Sequence, residues 1–311
     1  MTKIVARSPV RARATGWSLI SWTLFATSGP LAKAVMAAGW SPAEVTVARI
    51  GMAAGVLLPV VAVVRPQALK FRRGDLWTLG GYAALGVAGV QLLFFVAVQR
   101  VPIGLVMVLV NLAPVLVALW AQFVRRTRLP GQAWWGIGFA MAGLALVAQV
   151  WQGARLDVVG VAAALGAAIC SAGYFLIGEY GATRHDPFGM TAAGLTIGAT
   201  LLAVLTPPWS LPMNLLTTPV TLGNLRPPIW SALLVLAIAA TVVPYLTGLY
   251  ALRQLPASAS ATLALVEPLV AALLAWAFLG QALAPLQIVG AVIILIGATL
   301  VQLHLPEHQS D

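Results

Sequence analysis

Charge is what this chain has least of. Only 8% of its 311 residues are Asp, Glu, Lys or Arg, where a soluble domain carries about 25%. That leaves too little polar surface to cover a water-soluble globule. Acids are the scarcer sign, eight against 18 Lys and Arg. The single cysteine, Cys170, allows no internal disulfide and reads as a small core residue. The three histidines are scattered, and no Ser-His-Asp set, phosphate loop or metal-ligand spacing occurs. No cofactor and no metal ion are expected, and catalysis is not the expected role. Short alternating segments of about 10 residues are also missing, which excludes a β-barrel.

What is present is apolar. Sixty per cent of the residues are hydrophobic and the mean hydropathy is +0.94. Runs of about 20 such residues recur, the length that crosses a hydrocarbon core of roughly 30 Å. The expected fold class is an all-α membrane protein with ten transmembrane helices. They are placed at 16–38, 43–64, 75–98, 102–124, 131–150, 156–180, 187–206, 228–252, 256–279 and 284–303. The Pro-rich connection 207–227 carries one charge, Arg226, and is expected to hold a short surface helix over 212–222. The basic start before residues 16–38 looks like a leader, but Pro30 and Lys33 interrupt the apolar run. It reads as an uncleaved first helix.

The basic residues sort by side of the membrane. Thirteen fall on one side: Lys3, Arg7, Arg11 and Arg13, four over 65–73, three over 125–128, Arg184 and Arg253. Three fall on the other: Arg100, Arg155 and Arg226. The positive-inside rule then puts both termini in the cytoplasm. The net charge of +10 marks topology and not a nucleic-acid partner; the expected partner of the surface is the lipid bilayer. Trp17, Trp40, Trp77, Trp134, Trp135, Trp151 and Trp230 fall near the predicted interfaces, as an aromatic belt would.

The chain repeats itself. Residues 96–147 lie on 250–301 at an offset of 154 without a gap, with twelve identities over 52 positions. Pro102 meets Pro256, Pro114 meets Pro268, Gly136 meets Gly290 and Gly143 meets Gly297. Further forward, Gly51 and Gly55 match Gly194 and Gly198, and Gly29 matches Gly173. The expected domains are a cytoplasmic segment 1–15, repeats 16–150 and 156–303, and a cytoplasmic tail 304–311. Five helices per repeat is an odd number, so the second copy enters the membrane inverted. Carriers built so bind their substrate near the midplane, between the halves, and alternate access by rocking.

A late segment of small residues, then Glu267-Pro268, an apolar run, a short turn at 280–285 and Gly290 to Gly297 resembles the EamA-type carriers of the drug/metabolite transporter superfamily. Ser41-Pro42 followed by Arg49 is similar to that family's second helix, and Asn111-Leu112-Ala113-Pro114 is a weaker first copy of the late motif. Gln281 departs from the Glu that many members carry. The resemblance covers 16–303 and implies a bacterial inner-membrane exporter of small organic solutes, amino acids above all. Proton-coupled efflux of drugs or cations stays open, as does a membrane-embedded enzyme or lipid-handling protein. A monomer is the favoured assembly.

Candidate substrate-binding residues are polar or aromatic groups too deep for an interface belt. Glu267 is an acid in mid-span, where an unpaired charge costs roughly 2.5–3.5 kcal/mol. It suits a substrate amine or a coupled proton. Arg49 suits a substrate carboxylate, or else snorkels or pairs with Glu44. Lys33 reads as snorkelling. Gln91 and Tyr245 are repeat mates expected to face each other across a cavity. Asn111 could present its amide; Trp22, Tyr82 and Tyr174 would form an aromatic wall. His185 and Asp186 read as a surface pair, and Trp120 and Trp276 as lipid-facing or packing residues.

Overall fold

The computed structural model describes residues 9–101, 103–127, 129–148, 157–223, 225–279 and 284–304. In lipid the backbone must bond to itself, and the described residues are helical with no β-strand among them. In chain order the helices are α1 (Pro9–Ala26), α2 (Ser28–Ala37), α3 (Pro42–Val64), α4 (Leu76–Gly81) and α5 (Val90–Arg100). Then come α6 (Ile103–Val110), α7 (Ala113–Phe123), α8 (Gly131–Ala148), α9 (Val158–Arg184) and α10 (Pro187–Leu205). The last are α11 (Ile229–Ala237), α12 (Val243–Leu252), α13 (Ala257–Leu263), α14 (Val266–Leu279) and α15 (Pro285–His304). A π-helical turn, Tyr82–Gly89, joins α4 to α5, and another, Ile238–Val242, joins α11 to α12. Six helical stretches are long and apolar enough to cross a membrane, and shorter apolar helices accompany them. Ile169, Leu201, Val292 and Ile296 stand exposed on the outside of the bundle, where only lipid suits them. This is a multi-pass membrane protein.

Local sequence fixes several helix starts. Ser41 and Glu44 form a reciprocal capping box on α3: the Ser41 N–H donates to Glu44 Oε2 at 2.6 Å, and the Glu44 N–H to Ser41 Oγ at 3.3 Å. Glu44 is therefore occupied at its own helix end and does not pair with Arg49. Asp157 caps α9 through the Gly160 N–H, and Asp186 caps α10 through the Phe188 N–H. The first helix is already formed at Pro9, the first described residue, ahead of the expected start at 16. It breaks at Thr27, just before Gly29-Pro30. No helix forms over 212–222. Its prolines leave a short 3₁₀ turn, Met213–Leu215, and isolated bridges from Pro219 to Pro228 and from Leu222 to Leu225. Trp40 is buried against the protein.

The repeat is visible as matched irregularities. Shifted by 154, the π turn at Ile238–Val242 falls on 84–88, inside the turn at Tyr82–Gly89. The break between α13 and α14 falls on that between α6 and α7. Pro114 and Pro268 sit just after these breaks and lack the N–H that would bond the carbonyl four residues back. The glycines pair reciprocally. A Cβ on Gly143 would sit 2.6 Å from the Gly290 carbonyl oxygen, and one on Gly136 would sit 2.8 Å from that of Gly297. So α8 and α15 cross antiparallel with backbones in contact. Each copy's first glycine meets the other copy's second, the pattern of a two-fold axis across the helices. Gly194 and Gly198 also sit tight, against Tyr82 and Val87. Their matches Gly51 and Gly55 face open space, so the glycine pairs pack closely in one copy only.

Lys3, Arg7, Arg128, Trp151, Arg155, the turn 280–283 with Gln281, and the tail beyond 304 lie outside the described residues, as does the side chain of Trp276.

Candidate functional site

A cavity of about 620 Å³ opens where the irregular helices meet. Its floor is aromatic. Tyr174 packs edge-on against Tyr245 (ring centroids 5.8 Å apart) and against Trp22 (6.5 Å), and Phe25 packs edge-on against Tyr245 at 5.2 Å. From there the cavity runs toward the bundle end that carries Ala37 and Arg100, past Gln91, Asn111 and Glu267 to Lys33 and Gln287. A second hollow, of about 560 Å³ and lined by Trp40, Gly51, Met52 and Trp230, has no charged lining residue. It offers no comparable chemistry.

Glu267 enters the cavity because of the helix break. The Pro268 ring interrupts the ladder, Glu267 opens α14, and its side chain is half-buried in the cavity wall. Among the described residues it makes no ion pair. Asn111 occupies the matching break in the other half. Its Nδ2 donates to the Met107 carbonyl at 2.8 Å, and its amide oxygen is left for the cavity.

Arg49 is only 1% exposed and does not line the cavity. Two of its three sequence readings do not hold: it does not snorkel and it does not pair with Glu44. Its Nε donates to Thr241 Oγ1 at 2.6 Å, its Nη2 to the Ala240 carbonyl at 3.0 Å, and its Nη1 to Gln91 Oε1 at 3.3 Å. Ala240 and Thr241 lie in the second π turn, which loosens the backbone ladder and offers groups to outside donors. The other half mirrors this: the Tyr245 hydroxyl donates to the Gly86 carbonyl, in the first π turn, at 2.7 Å. Gln91 and its repeat mate Tyr245 both line the cavity. Each half's irregular turn is held by a side chain from the other half.

Six of the eight expected site residues line the cavity: Trp22, Gln91, Asn111, Tyr174, Tyr245 and Glu267. Arg49 stands behind Gln91 as a buried brace. Tyr82 is fully buried beneath the floor, stacked on Tyr174 at 5.7 Å with its hydroxyl unpartnered among the described residues. Two lining residues were missed as candidates. Lys33 lines the cavity from α2, beyond the break at Thr27, and the Gly29-Pro30 pair beside that break is its signal in the sequence. Gln287 faces the cavity while its Nε2 donates to the Val147 carbonyl at 3.2 Å.

Below the floor, at the bundle end holding Pro9, three polar contacts tie one half to the other. Arg65 meets Asp186 at 3.6 Å, Arg125 meets the buried Glu179, and His185 Nε2 lies 3.6 Å from Asp75. His185 thus contacts Asp75 and not its neighbour Asp186. At the opposite end one such contact is present among the described residues, Arg100 to Asp157 at 3.7 Å.

Comparison with known proteins agrees with this architecture. Residues 13–149 and 158–303 each match the EamA-like transporter family. The threonine/homoserine exporter RhtA of Escherichia coli K12 is 31% identical over 82% of this chain and 81% of its own length. The uncharacterized transporter YwfM of Bacillus subtilis 168 is 33% identical over 72% of this chain and 73% of its own. One crystal structure superposes with a TM-score of 0.74 over 93% of this chain and 96% of its own, at 19% identity, a likeness of fold alone.

Proposed function

This chain belongs to the EamA-like transporter family, and on that premise we propose that it exports amino acids across a bacterial inner membrane. The reading includes ten spans, repeats at 16–150 and 156–303 related by an axis in the membrane plane, and cytoplasmic termini at 1–15 and 304–311. The thirteen-to-three split of Lys and Arg supports that orientation. On it the cavity faces outward, and the three cross-half contacts seal the cytoplasmic end. Rocking of one half against the other exposes the site to each side in turn.

One observation carries the substrate reading: a half-buried carboxylate, Glu267, makes no ion pair among the described residues and sits in a cavity floored by aromatic rings. An unpaired carboxylate at that depth calls for a cation, and the α-ammonium group of an amino acid supplies one. The match to a threonine/homoserine exporter supports the same class. The aromatic floor takes the rest of the solute by contact and is not selective for charge.

Purified protein in liposomes should take up radiolabelled L-threonine or a related amino acid, and Glu267→Gln should lower uptake at least tenfold. A protein that moves no amino acid, but exchanges organic cations for protons in a manner lost with Glu267→Gln, would instead be a proton-coupled efflux carrier.

A further inference from the structure

Lys33 has no task in the function proposed so far, yet it is placed for one. It stands on α2, beyond the break at Thr27, exposed and lining the same cavity as Glu267. Because α2 packs on α14, the two opposite charges belong to adjoining walls. Among the described residues Lys33 makes no ion pair. The fold does not require a cation there, because at the repeat offset of 144 its mate is Ile177.

A zwitterion brings a carboxylate into this cavity as well as an ammonium group, and a carboxylate out of water needs a counter-charge. Arg49 cannot touch it: the guanidinium is buried behind Gln91, and Thr241, Ala240 and Gln91 take its bonds. Gln91, Asn111 and Gln287 are neutral, and the floor is aromatic. Lys33 is the basic side chain among the described residues that lines the cavity. We propose that Lys33 binds the substrate carboxylate, so that the site selects amino acids over the amines left when that carboxylate is lost. This rests on the reading of Glu267 as the ammonium ligand. Substrate bridging Lys33 and Glu267 would also draw α2 toward α14, closing the cavity from the side on which it is open.

The test uses the full chain in liposomes, with L-threonine as substrate and 1-amino-2-propanol, its decarboxylated analogue, as competitor. Lys33→Met should raise the KM for threonine about tenfold, the worth of one charge-assisted contact, and leave kcat within twofold. The inhibition constant of the amine should not change, and Lys33→Arg should restore the KM. A Lys33→Met protein that transports threonine with an unchanged KM, or that loses threonine and amine alike, overturns the assignment of Lys33 alone. A wild-type protein that binds and moves neither compound overturns the export reading and this one with it.

Discussion

Arg49 shows what one buried charge does here. A guanidinium out of water needs acceptors, and Thr241, Ala240 and Gln91 supply one to each of its three nitrogens from two other helical rods. Arg49→Met should lower stability by about 3 kcal/mol, seen as a fall in melting temperature of the detergent-solubilised protein. Arg49→Lys should rescue little of it, because a single ammonium cannot reach acceptors spread around a planar fork. Two tyrosines of the floor should differ in the same assay. Tyr245→Phe removes a bond to the Gly86 carbonyl and should cost about 1 kcal/mol. Tyr82→Phe removes a buried hydroxyl that has no partner among the described residues, and should leave melting unchanged or raise it.

At the level of helices, α8 and α15 meet through glycine, with no side chains between their backbones. Gly143→Val would drive a side chain into the Gly290 carbonyl and should abolish a folded peak in size-exclusion chromatography. Gly138→Ala, on the open side of the same helix, should leave the profile as it is. The matched Gly136, Gly143, Gly290 and Gly297 were legible in an offset comparison, though not that they face one another across α8 and α15. So were the paired breaks, because proline removes a donor wherever it stands. The π turns were not legible: no residue type marks a helix that widens by one residue, and both turns read as ordinary apolar helix. Nor was the bracing of Arg49. Its depth could be counted along the helix, but Thr241 lies 192 residues away and no local pattern names it. That Lys33 lines the same cavity as Glu267 was not legible either, because α2 and α14 are brought together only by the tertiary fold.

For the whole molecule, the charged contacts between halves gather at the Pro9 end, where Arg65–Asp186, Arg125–Glu179 and His185–Asp75 face Arg100–Asp157 at the other among the described residues. If these contacts hold the cytoplasmic end shut, Glu179→Gln should loosen it. In a Cys170→Ala background, a cysteine placed at Ala261 in the cavity wall should then react several-fold faster with a thiol reagent applied from the cytoplasmic side. An unchanged rate would mean that the aromatic floor seals that end by itself. The paired π turns carry a consequence of another kind, about descent. Both copies carry a widened turn at one register, as descent of the two halves from a single unit would leave it. The break at Thr27 has no counterpart in α9, so the two copies differ there.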